Sequence, residues 1–341
     1  MKIIFTIQHP AHVHLFRNSI RILEKKGHTT HVVARKKDIT IDVLEQYNIH
    51  HEVLAEPVNC TPEYIIRQTQ YEINVLKYAI NVDPDLIVGM GEPSVAHVSS
   101  ILRIPGIIFT DTENAILQNI LSFPFADRVY TPTCYEGNTG KNQIRYSGYH
   151  ELAYLHPNQF SPEPTILNQL GLDISDKFVI VRLNAWNSAH DLRDSGLDEI
   201  ETAISKIAAT GAKVLITSEP DIPDSLRKYH VDIPVDEIHN LMYYSNLLFG
   251  ESATMAAESA VLGTPAIFVS TSRRGYTNEL GDRYGLVYTF SGSDRQAAGV
   301  EKAVSILNKN DKKKWRSRRS QLLSDKIDTT EFIIDEIEGL I

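Results

Sequence analysis

Residues 247–269, LLFGESATMAAESAVLGTPAIFV, constrain the fold more than any other stretch of the chain. The apolar run Leu247-Leu248-Phe249 meets Gly250 and the polar pair Glu251-Ser252. Small apolar helix formers follow, and Gly263-Thr264-Pro265 closes them before a second apolar strand, Ala266-Ile267-Phe268-Val269. Strand, turn, helix, glycine stop and strand make one βαβ unit of a parallel sheet. A helix built so largely of Ala, Val, Leu and Met is a buried one.

One residue does not suit that burial. Glu258 stands in the middle of the helix, where an unpaired carboxylate costs several kcal/mol. It follows the helix start by roughly 9 Å along the axis, and its side chain leans back towards the N-terminus. That terminus offers free N–H groups and partial positive charge, a ready phosphate site, with Ser252 and Thr254 as further donors. A diphosphate there puts an attached ribose near Glu258, which can accept its two hydroxyls. A solvent-facing glutamate on an ordinary α/β helix is the alternative that spacing alone leaves open.

The chain has 341 residues, 42% hydrophobic and 23% charged, which suits two domains with separate cores. A formal net charge of -9 argues against a general nucleic-acid binder. An anionic substrate then needs locally arranged positive groups. Cys60 and Cys134 are too few for a disulfide framework or a cysteine zinc site. No apolar run approaches a membrane span, and MKIIFTIQHP enters a strand too directly for a signal peptide. The expectation is a soluble, cytoplasmic protein.

Residues 2–8 read as a buried strand, 9–14 as a polar turn with three histidines, and 15–26 as an amphipathic helix before the next strand. The loop at the carboxyl end of the first strand is where open α/β sheets place ligands. His12 and His14 are open to a metal, a solvated-loop and a substrate-contacting reading. Pro10 at the first helical position would set the two on different faces, against a shared metal. An imidazole at such a loop can take a proton from a hydroxyl near neutral pH.

The strand at 106–110 runs into Asp111-Thr112-Glu113-Asn114. If the chain stays extended, Asp111 and Glu113 share a face and form a carboxylate pair. A divalent-metal DxE motif and plain N-capping by Asp111 are the alternatives. Residues 134–149 are rich in Gly, Asn and Thr. Pro157, Pro162 and Pro164 mark a linker, so the domains are placed at 1–160 and 175–320, with 321–341 as a C-terminal helix crossing back. The second half restarts with a strand carrying Arg182, which feeds Asn184, Trp186 and His190. The basic run at 309–319 is a solvated helix face or a patch for anionic lipid headgroups.

Two α/β halves bearing PAHVHLF, FTDTENA, GYHELAYLHP and GESATMAAESAVLGTPAI resemble, over nearly the whole length, an uncharacterised archaeal and bacterial family with the GT-B fold. The chain is also similar to the lipid-linked muramoyl-pentapeptide N-acetylglucosaminyltransferase and to UDP-N-acetylglucosamine 2-epimerases. The resemblance implies an α/β GT-B architecture, two Rossmann-like doubly wound parallel-sheet domains facing a central cleft. It implies a cytoplasmic glycosyltransferase using a nucleotide-diphosphate sugar, UDP-linked, with a lipid-linked acceptor and peripheral contact with the inner membrane face among its options. A UDP-sugar 2-epimerase or hydrolase, or a nucleotide-sugar binder without turnover, is the alternative.

By the same resemblance Ser252, Ala253 and Thr254 hold the diphosphate, Glu258 the ribose, and residues 234–239 the base. Arg182, Asn184, His190 and Arg273 complete the nucleotide-sugar set, with Arg182 or Arg273 neutralising the leaving diphosphate. His12, or the pair Asp111 and Glu113, serves as catalytic base. In the epimerase reading the two carboxylates act as acid and base. Neither a metal nor a cofactor is implied, the nucleotide-sugar being a substrate.

Overall fold

The computed structural model describes residues 1–55, 64–183, 200–218, 222–271 and 274–340. It divides into two compact units, Met1–Gln159 with Lys326–Ile341, and Phe160–Asp325. Unit 1 runs β1 (Lys2–Ile7), α1 (Pro10–Lys25), β2 (Thr29–Arg35), α2 (Thr40–Gln46), β3 (Glu52–Ala55), α3 (Tyr64–Val82), β4 (Leu86–Met90) and α4 (Pro93–Leu102). It continues with β5 (Gly106–Phe109), α5 (Ile116–Ser122), β6 (Arg128–Pro132), β7 (Gln143–Tyr146) and α6 (Leu152–Leu155).

Unit 2 holds α7 (Thr165–Gln169), β8 (Phe178–Leu183), α8 (Ile200–Ala208), β9 (Lys213–Ser218), α9 (Ile238–Tyr244), β10 (Leu247–Gly250) and α10 (Ala253–Leu262). After these come β11 (Ala266–Val269), α11 (Gly275–Asp282), β12 (Val287–Phe290), α12 (Arg295–Lys309) and α13 (Lys312–Asp325). A final helix, α14 (Thr329–Glu338), belongs to unit 1.

The unit 1 sheet is seven-stranded in the order β3-β2-β1-β4-β5-β6-β7, and every pairing is parallel. After Lys2 every residue of β1 is buried, as a central parallel strand covered on both faces requires. The chain winds one way from β1 to β3, then crosses back to lay β4 on the other side of β1. That reversal is a topological switch point.

Unit 1 departs from the sequence reading at three points. A strand the sequence reading did not assign appears within the Gly-, Asn- and Thr-rich stretch: residues 143–146 form β7, paired with β6 at Tyr130 and Ile144; an edge strand tolerates so polar a setting because only one side is paired. The polar turn at 9–14 is mostly helix, because Pro10 opens α1 with its fixed φ and His9 Nδ1 accepts the Ala11 amide at 3.2 Å. His14 is consequently buried beside the Tyr154 ring, at 5.1 Å between centroids, with its Nδ1 2.9 Å from an Arg17 guanidinium nitrogen. Thirdly, the C-terminal stretch is two helices rather than one. The chain breaks after α13, and Asp328 caps α14 through the Thr330 amide at 2.9 Å. The Thr329 hydroxyl then donates to the Tyr149 carbonyl at 2.7 Å, tying α14 into unit 1.

Unit 2 carries a five-stranded sheet in the order β12-β11-β10-β8-β9, again parallel throughout. Its switch point lies between β8 and β10. Gly250 is required there: a Cβ at this position would stand 2.2 Å from the Arg182 carbonyl oxygen, a backbone atom with no freedom to move away. Gly250→Ala should therefore destabilise unit 2 by about 1–3 kcal/mol, as overpacking does. A urea midpoint equal to that of the parent chain would count against this close approach. Among the described residues no helix is long and apolar enough to cross a membrane.

Candidate functional site

At the unit 1 switch point two neighbouring strands end in the same way. β1 is followed by Gln8-His9-Pro10 and β4 by Gly91-Glu92-Pro93, and each proline opens a helix. The residue before a proline is held extended, and Glu92 has φ -107 and ψ 130. Its side chain makes no cap bond with α4. Instead it is fully buried beside the first turn of α1.

There Glu92 Oε2 accepts from Gln8 Nε2 at 2.7 Å and from the Ser94 hydroxyl at 3.1 Å. His12 Nδ1 lies 3.2 Å from Glu92 Oε1 and 3.3 Å from the Gln8 amide nitrogen. One ring nitrogen cannot donate to the first and accept from the second. With the Gln8 amide donating to Nδ1, Glu92 Oε1 is left buried without a donor; a carboxylate oxygen so buried costs more than a long amide contact contributes, which favours the tautomer with the proton on Nδ1, facing Glu92. Nε2 is then the lone-pair nitrogen, which is the tautomer a general base needs. Glu92 escaped the sequence reading. The only available signal was an acidic residue between a Gly turn and a helix-opening Pro.

The expected carboxylate pair is not a pair. β5 ends at Phe109, so the chain is no longer a strand at Asp111. Asp111 Oδ2 lies 3.2 Å from His150 Nδ1 and its Oδ1 accepts the Thr112 hydroxyl at 3.0 Å. Glu113 Oε1 accepts the Glu136 amide at 3.2 Å instead. The N-capping alternative also fails, because α5 is capped by Ala115 without a side-chain bond. Both carboxylates still act on one neighbour, Tyr135, whose hydroxyl is pushed up to about 12 by burial and by the charges of Glu113 and Asp111. Glu113 Oε2 and both His150 ring nitrogens are buried without a well-formed hydrogen bond among the described residues, the approach of Nδ1 to Asp111 being an ion-pair contact. Such atoms are where a ligand's polar groups can be received.

Burial alone would raise the Asp111 carboxyl, but the His150 imidazole and the bonds from His150 and Thr112 outweigh it and hold the pKa below the usual value. A depressed folded-state pKa contributes stability above the unfolded value, lost as pH falls through the folded one. Asp111→Asn should accordingly lower stability at neutral pH by roughly 1.5–3 kcal/mol, as for hydrogen bonds to charge. The gap between parent and variant should close below about pH 4. Urea midpoints measured across pH 2–8 check this; a gap that widens on acidification would refute it.

In unit 2 the switch point is occupied by the start of α10. Ser252 caps it, its hydroxyl oxygen accepting the Met255 amide at 3.3 Å, and Gly263 closes it in the left-handed conformation at φ 87. The first-turn amides of Ala253 and Thr254 have no intrahelical acceptor by helix geometry. Thr254 is exposed, and Arg182 lies across the switch on β8, level with Gly250, one guanidinium nitrogen 3.4 Å from the Thr217 carbonyl. Asn184, His190 and Arg273, together with Trp186, fall outside the described residues.

Glu258 is buried, as its helix demands, but it is not isolated. His239 Nε2 of α9 lies 3.0 Å from its Oε1, and both side chains are almost wholly enclosed. The sequence argument from an unpaired carboxylate is thus answered in part by a protein partner. Among the described residues no group of three or more His, Cys, Asp or Glu side chains could hold a metal ion.

Two doubly wound parallel-sheet units of this kind define a GT-B-type fold. The chain belongs to the family described as "Protein of unknown function (DUF354)", which it matches over residues 1–284. It is 25% identical over 266 residues to the uncharacterized protein MJ0665 of Methanocaldococcus jannaschii, covering 75% of this chain and 78% of that protein. In fold it is similar to the UDP-GlcNAc 2-epimerase from Neisseria meningitidis bound to UDP-GlcNAc, with 13% identity, 99% of this chain and 100% of that one covered, and a TM-score of 0.69. The spinosyn forosaminyltransferase SpnP is similar too, with 11% identity, coverage of 100% and 99%, and a TM-score of 0.68.

Proposed function

We propose that the chain is a glycosyltransferase that moves a sugar from a nucleotide-diphosphate sugar, UDP-linked, to an acceptor hydroxyl. The observation that carries this reading is the buried Glu92 facing His12 Nδ1 at the unit 1 switch point; a proton held between them leaves Nε2 to act as the base. In unit 2 the diphosphate sits on the Ala253 and Thr254 amides and the Ser252 hydroxyl. Glu258 takes the ribose hydroxyls and residues 234–239 flank the base. Charge that builds on the leaving diphosphate is met by the α10 N-terminus and by Arg182. The fold it shares with sugar-nucleotide enzymes supports the substrate class.

A second reading, a UDP-sugar 2-epimerase or hydrolase, is favoured by Asp111 against His150 and by the unpartnered Glu113 Oε2. That is an acid–base set which needs no acceptor. Incubation with UDP-GlcNAc, with and without a panel of hydroxyl acceptors that includes lipid-linked ones, separates the two. UDP released only with an acceptor supports transfer. A 2-epimer, or UDP released equally without an acceptor, moves the assignment to the second reading. No conversion of any nucleotide-sugar tested would sink both.

A further inference from the structure

The end of α10 remote from Ser252 lies against a second feature. Where α9, α10 and α12 finish and β10 and β11 begin, unit 2 has a partly open cavity of about 150 Å³. One wall is α13, which contributes Lys312, Trp315, Arg316 and Arg319. At helical spacing these residues fall along neighbouring turns of one side. The three cations have no carboxylate within ion-pair distance among the described residues. Asp311, next in sequence, is used to cap α13 through the Lys314 amide at 3.1 Å.

Burial, and then the charge of Arg316, push the Lys312 ammonium down, and burial does the same to Arg319. Arg319 is anchored by its Nε donating to the Val261 carbonyl at 2.9 Å, and it lies 5.7 Å from the Tyr243 ring centroid. Positive groups crowded together without a counter-charge repel one another, and a bound anion relieves this. Tyr243, Trp315, Leu262 and Ile306 give the lining a flat and apolar part, beside the polar Ser245, Asn246, Thr264 and Asn310. A space of about 150 Å³ is large enough for a benzene-sized ring.

We propose that this cavity is a binding site for a small ligand carrying a phosphate or carboxylate on a flat ring. Lys312 and Arg316 take the oxyanion by charge-assisted hydrogen bonds, and the ring lies among Tyr243, Trp315 and Leu262. The site is separate from the α10 N-terminus, and its existence does not depend on the function proposed above.

The test uses phenyl phosphate, benzoate and inorganic phosphate on the full chain. Calorimetry is paired with tryptophan fluorescence in a Trp186→Phe background, where Trp315 is the sole indole. Phenyl phosphate should bind and perturb Trp315 emission, and inorganic phosphate should bind at least about tenfold more weakly. Lys312→Ala with Arg316→Ala, both on the outer part of α13, should weaken phenyl phosphate by more than about tenfold. Ser252→Ala should leave it unchanged. Absence of binding in the millimolar range, affinity equal to that of inorganic phosphate, or affinity indifferent to the double substitution would each overturn the proposal.

Discussion

His12→Ala is expected to lower turnover by about 10²–10⁴-fold, the range for losing a general base, while UDP affinity stays nearly unchanged. The split follows from position: His12 stands at the β1/β4 switch of unit 1, and the nucleotide contacts proposed here are all in unit 2. Glu92→Gln is the companion variant. The amide keeps the volume beside Gln8 and Ser94 and can still accept from His12 Nδ1, but it lacks the charge that would stabilise a protonated imidazole, so turnover should fall with the fold intact. The rival claim gives the proton to Asp111 or Glu113 and leaves His12 to orient the sugar. Rate–pH profiles decide between them, because the variant lacking the base loses the acidic limb and the other keeps it. His12→Ala with near-parental turnover and that limb preserved would move the assignment to the carboxylates.

Glu258→Ala should cost about 1.5–3 kcal/mol of stability, as for a hydrogen bond to a charged group, because it strips a buried partner from His239. UDP affinity should weaken by a further 1–3 kcal/mol or so, as for a charged hydrogen-bond acceptor. Two roles are being claimed for one side chain, so two variants are needed. Glu258→Gln retains an acceptor for His239 and should keep most of the stability, yet it lacks the charge that favours the ribose hydroxyls. Urea unfolding and calorimetric UDP titration read the two quantities separately. If both variants bind UDP as the parent does, Glu258 is a core contact of α9 and α10 and nothing more.

Some of this was determined by the sequence alone, wherever the cause is local. The unit around α10 follows from an apolar run, a Ser cap, small helix formers and a glycine able to take φ 87, and the chain folds there as the residues dictate. The parallel α/β class and the proline that opens α1 are local in the same sense. Long-range pairing was not legible. That β4 lies beside β1, and β10 beside β8, is a choice among crossovers which the residues of one strand do not specify. Both candidate sites depend on that choice. His12 meets Glu92, Asp111 meets His150, and Glu258 meets His239 across intervening strands and helices. For Asp111 and Glu258 the carboxylate was visible in the sequence and its partner was not; for His12 it was the carboxylate, Glu92, that went unseen. Burial requires that a charge be answered, but only the packed tertiary structure decides which side chain is near enough to answer it.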